Sequence, residues 1–291
     1  MAEGKEIPVA ANVLGTIGTV LWCIQLVPQI WYNWRRKNTD GLPASMMLLW
    51  ALCAPPFGIY MILQGVNIPI QIQPQIFGTL CLICWAQILV YHHNYTRVKA
   101  TVITLALAVL LGGSEVLFIL TLRVNMSRVL DHIIMPLTSL SFQQIPYRKG
   151  ITWPALLFGI LATILLVLGL MSPYQEIWKR RGRVVGINWV FLTMDTFGAL
   201  FSLLALVVES SFDVLGGVMY CVVLALEIGI FGSHIVWRLL HRDLLKEAKA
   251  AGVTIDEILE ANKRTVTPSS LVESQDHVGV ATVDTVEQAR R

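Results

Sequence analysis

Long stretches without charge dominate the hydropathy pattern of this chain. Residues 7–34 contain no Asp, Glu, Lys or Arg, and residues 41–96 contain none over 56 positions. Because a membrane-crossing helix needs about 20 mostly apolar residues, the second stretch is long enough for two such helices. Gly, Asn and Pro cluster at 65–69, which predicts the turn between them. Four further apolar stretches bring the predicted number of transmembrane helices to seven, and they cover residues 101–122, 152–171, 186–208 and 214–237.

The composition agrees with a membrane protein and argues against several soluble classes. Hydrophobic residues make up 55% of the chain and charged residues 14%, with a mean hydropathy of +0.64, whereas soluble domains carry about 25% charge. The net charge of +3 is small, and the basic residues lie in short clusters between apolar stretches, so no nucleic-acid partner is expected. Since backbone polar groups cannot stay unpaired in lipid, we predict an all-α fold.

The basic residues also predict the orientation of the chain. Cytosolic loops of membrane proteins carry an excess of Lys and Arg. If the N-terminus is luminal, the cytosolic segments hold twelve of these residues and the luminal ones five. We therefore predict a luminal N-terminus and a cytosolic C-terminus. The predicted luminal loop 123–149 is an exception to this rule, because it carries four basic residues. It also contains a glycosylation sequon at Asn125, which we do not expect to be used because it lies too close to the membrane.

The remaining segments predict a cytosolic tail and offer no framework for a metal or cofactor. Residues 241–262 have the composition of an amphipathic helix, whereas 263–291 lack aromatic residues and are predicted to be disordered. The five cysteines all lie in apolar stretches, so no disulfide framework is indicated. Cys81 and Cys84 form a C-x-x-C pair, but without a second ligand pair they are better explained as helix packing.

An internal repeat is detectable at an offset of 145 residues. The offset superposes Pro28 on Pro173 and Gly41 on Gly186. Helices one to three thus correspond to helices five to seven, and helix four must link them if both triplets are to keep the same orientation, a 3+1+3 arrangement. In transporters built this way the substrate path lies between the repeats. The predicted bounds are 10–91 for the first repeat, 100–122 for the linker, 151–240 for the second repeat, 1–240 for the membrane domain and 241–291 for the tail.

Two acidic residues inside predicted spans are the main candidates for a functional site. Asp195 lies 14 residues before Glu209, and Glu227 lies 14 residues after Asp213. At about 1.5 Å per residue both lie roughly 21 Å from that loop, at equal depth. Two such acids cannot both ionise at low cost, so at least one is expected to hold a proton, as proton coupling requires. The alternative, that both are neutral and serve packing only, remains open.

Pro28 and the residues around it are candidates for a hinge. Proline lacks an N–H and kinks a helix, and we expect the amide of Gln29 to bond the backbone groups that the kink frees. Alternatively, the proline simply ends the helix at the membrane surface.

Trp50 occupies the position equivalent to Asp195 and is a candidate cation–π surface on the substrate path, although packing explains it as well. Gln87 belongs to a polar third helix and either faces the same path or bridges helices. Glu115 is expected to be structural, facing the interface or pairing with Arg123.

Residues 26–30 (LVPQI) and 33–42 (NWRRKNTDGL) resemble the first motif of the PQ-loop family, which includes cystinosin and the lysosomal and vacuolar cationic amino-acid transporters. The second motif, at 172–177 (SPYQEI), departs from the pattern because Tyr174 stands between Pro173 and Gln175. The resemblance covers about residues 10–240. It extends to residues 195–204, where it implies a proton-coupling role for Asp195, and to Glu227, a second proton-coupling candidate, followed by His234, a candidate for the substrate path. It also implies proton-coupled export of a small metabolite, such as an amino acid, from a vacuole, lysosome or other endomembrane compartment.

Three functions are compatible with this architecture. A carrier would have a small-molecule substrate, protons and the lipid bilayer as partners, and both the parallel repeat and the level carboxyls favour it. A seven-helix receptor or sorting protein, similar to the receptor for the KDEL signal, needs neither feature. A lipid scramblase would require a polar groove facing lipid, which the sequence does not display. No nucleophile elbow, metal-spaced His cluster or Gly-rich phosphate loop indicates an enzyme.

Overall fold

The computed structural model describes residues 9–64, 68–122, 153–208 and 214–259. Within these residues the chain forms α-helices and no strand, and seven helical segments are long and apolar enough to cross a membrane. The predicted seven-helix fold is confirmed. The helices are α1 (Val9–Ile24) and α2 (Leu26–Arg36), which together make the first span, α3 (Ala44–Gln64), α4 (Ile68–Tyr91), α5 (Arg97–Leu122), α6 (Trp153–Lys179), α7 (Trp189–Val208), α8 (Val214–Leu240) and α9 (Arg242–Ala251).

Several predictions fall outside the described residues, namely the turn at 65–67, the loop 123–149 with its sequon, the loop 209–213 and the end of the tail. The predicted tail helix begins at Arg242 as α9 and is interrupted at Gly252, which adopts a left-handed φ of 66°. The described residues fall into two compact units, which divide between His234 and Ile235, so the second unit includes the end of the last span as well as α9.

The two repeat-related prolines both lie within helical spans but act differently on them. Pro28 cannot donate to the carbonyl of Ile24 four residues earlier, and α1 ends at that residue before the chain resumes as α2. Pro173 lies inside the continuous helix α6. Neither proline ends its span, because helix continues to Arg36 in one case and to Lys179 in the other. Only the first proline coincides with an interruption of the helical hydrogen bonding, at Gln25, whose dihedral angles remain helical (φ −53°, ψ −36°).

The most extensive helix contacts join the two halves of the chain. Helix α1 packs on α7, and α3 packs on α6. The predicted 145-residue offset would map α1 onto α6 and α3 onto α7, so the two interfaces would correspond to each other under the predicted repeat. Helix α5, the predicted linker, contacts α3 and α4.

A tryptophan is inserted into each of these interfaces. The indole of Trp22 donates to the carbonyl of Asp195 at 3.1 Å, and that of Trp50 donates to the carbonyl of Leu166 at 3.0 Å. In both cases a glycine follows the acceptor by three residues and leaves room for the ring. A Cβ atom at Gly198 or Gly169 would lie 2.5 Å from the indole nitrogen of its tryptophan. The small residue and the carbonyl bond together explain the close helix approach.

The loops after the first and fifth spans meet through their repeat-related glycines. Gly41 and Gly186 have φ angles of 84° and 83°. A Cβ atom at Gly41 would lie 2.6 Å from the carbonyl oxygen of Val185, and one at Gly186 would lie 2.5 Å from that of Asp40. Both positions therefore require glycine for two independent reasons, backbone conformation and space. These loops carry the basic clusters, and we call this end of the bundle the basic end.

Candidate functional site

A small cavity lies at the centre of the bundle, between the two halves. Its wall is built from α1, α3 and α4 of the first half and from α6, α7 and α8 of the second. The wall includes the indoles of Trp22 and Trp50, the amides of Gln25 and Gln73, and one charged residue, Asp195. The volume is about 20 Å³, enough for about one water molecule. The cavity is therefore small, and Asp195 forms part of its wall.

The two predicted acids are brought together at this cavity. Asp195 is 4% exposed and Glu227 is fully buried, and their side chains lie close enough to interact electrostatically. Neither oxygen of Glu227 receives a hydrogen bond from the part of the chain that the structure describes. The neighbouring hydroxyl of Thr196 gives its hydrogen to the carbonyl of Leu192 at 2.8 Å. Two neighbouring carboxylates repel each other when both are ionised, so a proton on one of them would stabilise the pair.

No basic side chain neutralises the acid pair within residues 9–64, 68–122, 153–208 and 214–259. The ion pairs found there join Glu176, Asp40 and Asp243 to lysine or arginine at the ends of helices. A buried charge is costly unless it is paired. A proton is therefore the available means of lowering the charge of the pair.

Gln25 is a component of the site that the sequence reasoning missed. Its side chain is 2% exposed, lines the cavity and bonds the carboxyl of Asp195. Its amide oxygen has no donor among the described residues. The residue also stands at the single-residue break between α1 and α2. Its position in an apolar stretch, one helical turn before Gln29, could have identified it from the sequence as a buried polar residue.

Gln29 has a different role from the one predicted. Its fully buried amide nitrogen donates to the side-chain oxygen of Asn33 at 2.8 Å and to the carbonyl of Gly186 at 3.0 Å. Its amide oxygen accepts from the backbone N–H of Asn188 at 2.7 Å. The expectation that Gln29 bonds the groups freed by Pro28 is wrong, because the amide is used by the loop before α7. Gln29 thus fastens α2 to the second half of the chain.

Gln87 extends the same polar network to α4. It accepts a hydrogen bond from Asn33 at 3.0 Å and donates one to the carbonyl of Ile30 at 3.1 Å. It is not among the residues that line the cavity. Of the two readings of Gln87, helix bridging therefore describes its contacts. Trp50, by contrast, lies in the cavity wall.

The second motif is arranged around Tyr174 and not around Gln175. Tyr174 occupies the position equivalent to Gln29, and its hydroxyl donates to the carbonyl of Leu226, with its ring in space left by Gly229. Gln175 is exposed. Tyr174 thus takes the place of the motif glutamine and ties α6 to α8 beside Glu227.

His234 and Glu115 lie away from the central cavity. The ring of His234 packs on Trp189 at 4.1 Å between centroids. Glu115 is 7% exposed, accepts a hydrogen bond from the amide of Gln75 at 2.6 Å, and occupies space left by Gly58. The expectation that Glu115 faces the interface is wrong, because it is held between helices. Arg123, its other predicted partner, lies outside the described residues.

Seven apolar spans around a buried polar centre define an integral multi-pass membrane protein. The chain belongs to the PQ-loop repeat family: residues 10–70 match the PQ loop repeat. It is 41% identical to an uncharacterized membrane protein of Saccharomyces cerevisiae over 249 residues, 85% of this chain and 72% of the relative. It is 31% identical to an uncharacterized protein of Schizosaccharomyces pombe over 231 residues, 79% of this chain and 74% of the relative. The family assignment made from the first motif is confirmed.

Replacing Gln29 should loosen the basic end of the bundle. In Gln29→Ala, the carbonyl of Gly186 and the N–H of Asn188 lose their side-chain partner, at about 1–3 kcal/mol for each buried group. We expect a clearly lower thermal midpoint for the purified protein in detergent. Gln175→Ala is the matched control, because this glutamine is exposed, and its midpoint should equal that of the wild type. Equal midpoints for the two variants would contradict the assigned role of Gln29.

Proposed function

We propose that this protein is a proton-coupled carrier that exports a small metabolite, such as an amino acid, from an acidic organelle by alternating access. One observation carries the proposal: a carboxyl in the wall of the central cavity contacts a second buried carboxyl, with no basic neighbour among the described residues. Such a pair binds and releases a proton where a substrate would bind. A carrier extracts work from protons only if a titrating group changes its affinity between the two open states.

The cavity wall supports a substrate that carries an ammonium group. Asp195 offers an anionic partner, and the oxygen of Gln25 is an unused acceptor. The indoles of Trp22 and Trp50 are the aromatic surfaces that attract cations most strongly. An ammonium group would bring a positive charge and three donors to these acceptors. A pair that shares one proton keeps one negative charge for the ammonium group, so the proton and the substrate would leave the organelle together.

The break at Gln25 suggests how the cavity opens toward the basic end. Gln25 is part of the cavity, and Gln29 lies one turn further, about 6 Å along the helix, where it holds the loop at 186–188. Movement of α2 about the break would withdraw Gln29 from that loop and open a path to the cavity. The closed cavity of about 20 Å³ corresponds in this scheme to an occluded state between the two open ones.

The hinge has a direct test in the two prolines. Pro28→Ala restores an N–H that can bond the carbonyl of Ile24 and so rejoin α1 and α2. We expect this variant to insert and remain stable but to cycle more slowly between its open states. Pro173→Ala should slow cycling less, because α6 is already continuous through Pro173. Initial exchange rates in proteoliposomes measure both effects, and normal rates in both variants would show that neither proline is a hinge.

We place the N-terminus in the lumen, and the C-terminus and the basic end in the cytosol. Reporter tags at residues 36–40, at 180–184 and at the C-terminus should therefore all report cytosol. A tag near residue 66 should report the opposite side. A cytosolic signal from that position would contradict the proposed orientation.

Uptake by proteoliposomes under a pH gradient tests the carrier proposal. The panel should pair each amino acid with its N-acetylated form, which lacks the ammonium charge. We expect gradient-dependent uptake of at least one free amino acid and none of its acetylated partner. Equal uptake of both forms would contradict recognition of the ammonium group. Absence of uptake across the panel would contradict the carrier proposal and leave the receptor as the function to test.

A further inference from the structure

The end of the last span carries basic residues on one face. Arg238, Arg242, Lys246 and Lys249 follow one another at intervals of four, four and three residues. Within α9, at 3.6 residues per turn, Arg242, Lys246 and Lys249 fall within about 60° of one another, and Arg238, one turn before Arg242, lines the same groove. The acidic residues of the same segment, Asp243 and Glu247, fall outside this sector. The basic residues therefore form a stripe, which we call the basic stripe.

A groove runs along the stripe and combines charged with apolar walls. It has a volume of about 360 Å³ and lies where the helix is interrupted at His241, between α8 and α9. Ile235 and Leu239, which contribute the apolar part of the wall, are 55% and 57% exposed. The charged part comes from Arg238, Arg242 and Lys246, and Leu245 completes the wall.

Most of the charge in the stripe lacks an acidic partner within the described part of the chain. Lys246 pairs with Asp243 at 3.0 Å. Arg238, Arg242 and Lys249 take part in none of the ion pairs found there. An arginine guanidinium presents a fork of donors that matches the oxygens of a phosphate. Two such groups one turn apart are suited to a phosphate with a second anionic group beside it.

The position of the groove selects the kind of anion. Helix α8 is a candidate membrane span that ends at Leu240. Ile235 and Leu239 thus lie within the span, whereas Arg242 and Lys246 lie beyond it. A free phosphate would use only the charged half of the groove. A phospholipid would use both halves, with its acyl chains along the exposed leucine and isoleucine.

We propose that this groove binds the headgroup of an anionic phospholipid, with Arg238 and Arg242 on the phosphate and Lys246 and Lys249 toward the remaining headgroup charge. Each Lys or Arg immediately beyond a span strengthens binding to anionic lipids by a factor of about five. The inference is independent of the proposed transport activity, because the groove shares no residue with the central cavity.

The test uses the purified full chain in detergent, titrated calorimetrically with dioctanoyl phosphatidylserine, with dioctanoyl phosphatidylcholine and with sodium phosphate. We expect saturable binding of phosphatidylserine, weak binding of phosphatidylcholine and no competition by millimolar phosphate. The double variant Arg238→Gln, Arg242→Gln should bind phosphatidylserine about 25-fold more weakly, about fivefold for each charge. If this variant does not elute as a folded species in size exclusion, the single variant Arg242→Gln should show the fivefold loss.

The matched control removes the same charge elsewhere at the basic end. Arg35→Gln, Arg36→Gln neutralises two exposed arginines at the end of α2 and should leave the affinity unchanged. An equal loss in both double variants would show general surface attraction and overturn the groove as a site. If phosphatidylcholine bound as tightly as phosphatidylserine, the groove would not select anionic lipids, and the proposal would be wrong. Competition by phosphate at the same concentration as phosphatidylserine would replace a lipid site with a site for soluble anions.

Discussion

Asp195→Asn should abolish accumulation of substrate against its gradient, while exchange across the membrane continues with a weaker apparent affinity, because the ammonium group loses its anionic partner. Asparagine keeps the shape of the neutral acid and still accepts the bond from Gln25, but it cannot release a proton. With one proton per substrate, a difference of one pH unit supports about tenfold accumulation. In the variant this ratio should fall to one, whereas exchange of labelled for unlabelled substrate continues. The measurement is steady-state uptake in proteoliposomes with and without a pH gradient, beside an exchange assay.

Glu115→Gln is the matched control for this experiment. It neutralises another buried carboxyl, which lies between α3, α4 and α5 and does not line the cavity. Gradient-driven accumulation should survive that change. Glu227→Gln should weaken the pH dependence in the same direction as Asp195→Asn. Full accumulation in both Asp195→Asn and Glu227→Gln would assign the acid pair to packing alone.

Gly186→Ala should cause a large loss of stability through a change of one methyl group. The φ of 83° costs a residue with a side chain about 1–2 kcal/mol. The added Cβ would also lie 2.5 Å from the carbonyl oxygen of Asp40, a backbone atom that cannot rotate away. We therefore expect a cost of several kcal/mol, at the upper end for single substitutions. The thermal midpoint of the purified protein measures it.

Gly112→Ala provides the control for Gly186→Ala within the same chain. Gly112 lies in the interior of α5, and a Cβ there would meet nothing within 4 Å. The same change should be neutral or stabilising by up to about 1 kcal/mol, since alanine is the better helix former. Equal midpoints for the two variants would contradict the packing of the Gly41 and Gly186 loops.

The spans and the meeting of the acids could be predicted because both follow from counting along the chain. A stretch of 20 or more uncharged, apolar residues is typical of a membrane span. The helical rise of about 1.5 Å per residue gives the depth of Asp195 and Glu227 in the membrane from their sequence distance to the loop. The short loop between their helices made them neighbours. The structure brings these two side chains together at the central cavity.

The partners of the glutamines could not be predicted, because they depend on tertiary contacts. Gln29 bonds a loop 157 residues further along the chain, and nothing local to the motif identifies that partner. From the sequence alone, Gln29 was expected to bond the carbonyl that Pro28 leaves free. In the structure its amide bonds residues 186 and 188 instead. Tyr174 shows the same limit: its alignment with Gln29 is visible in the sequence, but its bond to Leu226 is not. Glu115 was predicted to face the membrane interface because it lies toward the outer end of its helix, and its actual partners, Gly58 and Gln75, lie on other helices.

The central claim is that the acid pair carries a proton together with the substrate in each transport cycle. The most direct test is proton movement into proteoliposomes that contain a trapped pH-sensitive dye, with substrate supplied outside and no initial pH gradient. We predict that wild-type protein changes the internal pH as substrate enters, that the change scales with substrate uptake, and that Asp195→Asn gives substrate exchange without it. Net substrate entry at the full rate with no change in internal pH would contradict the account.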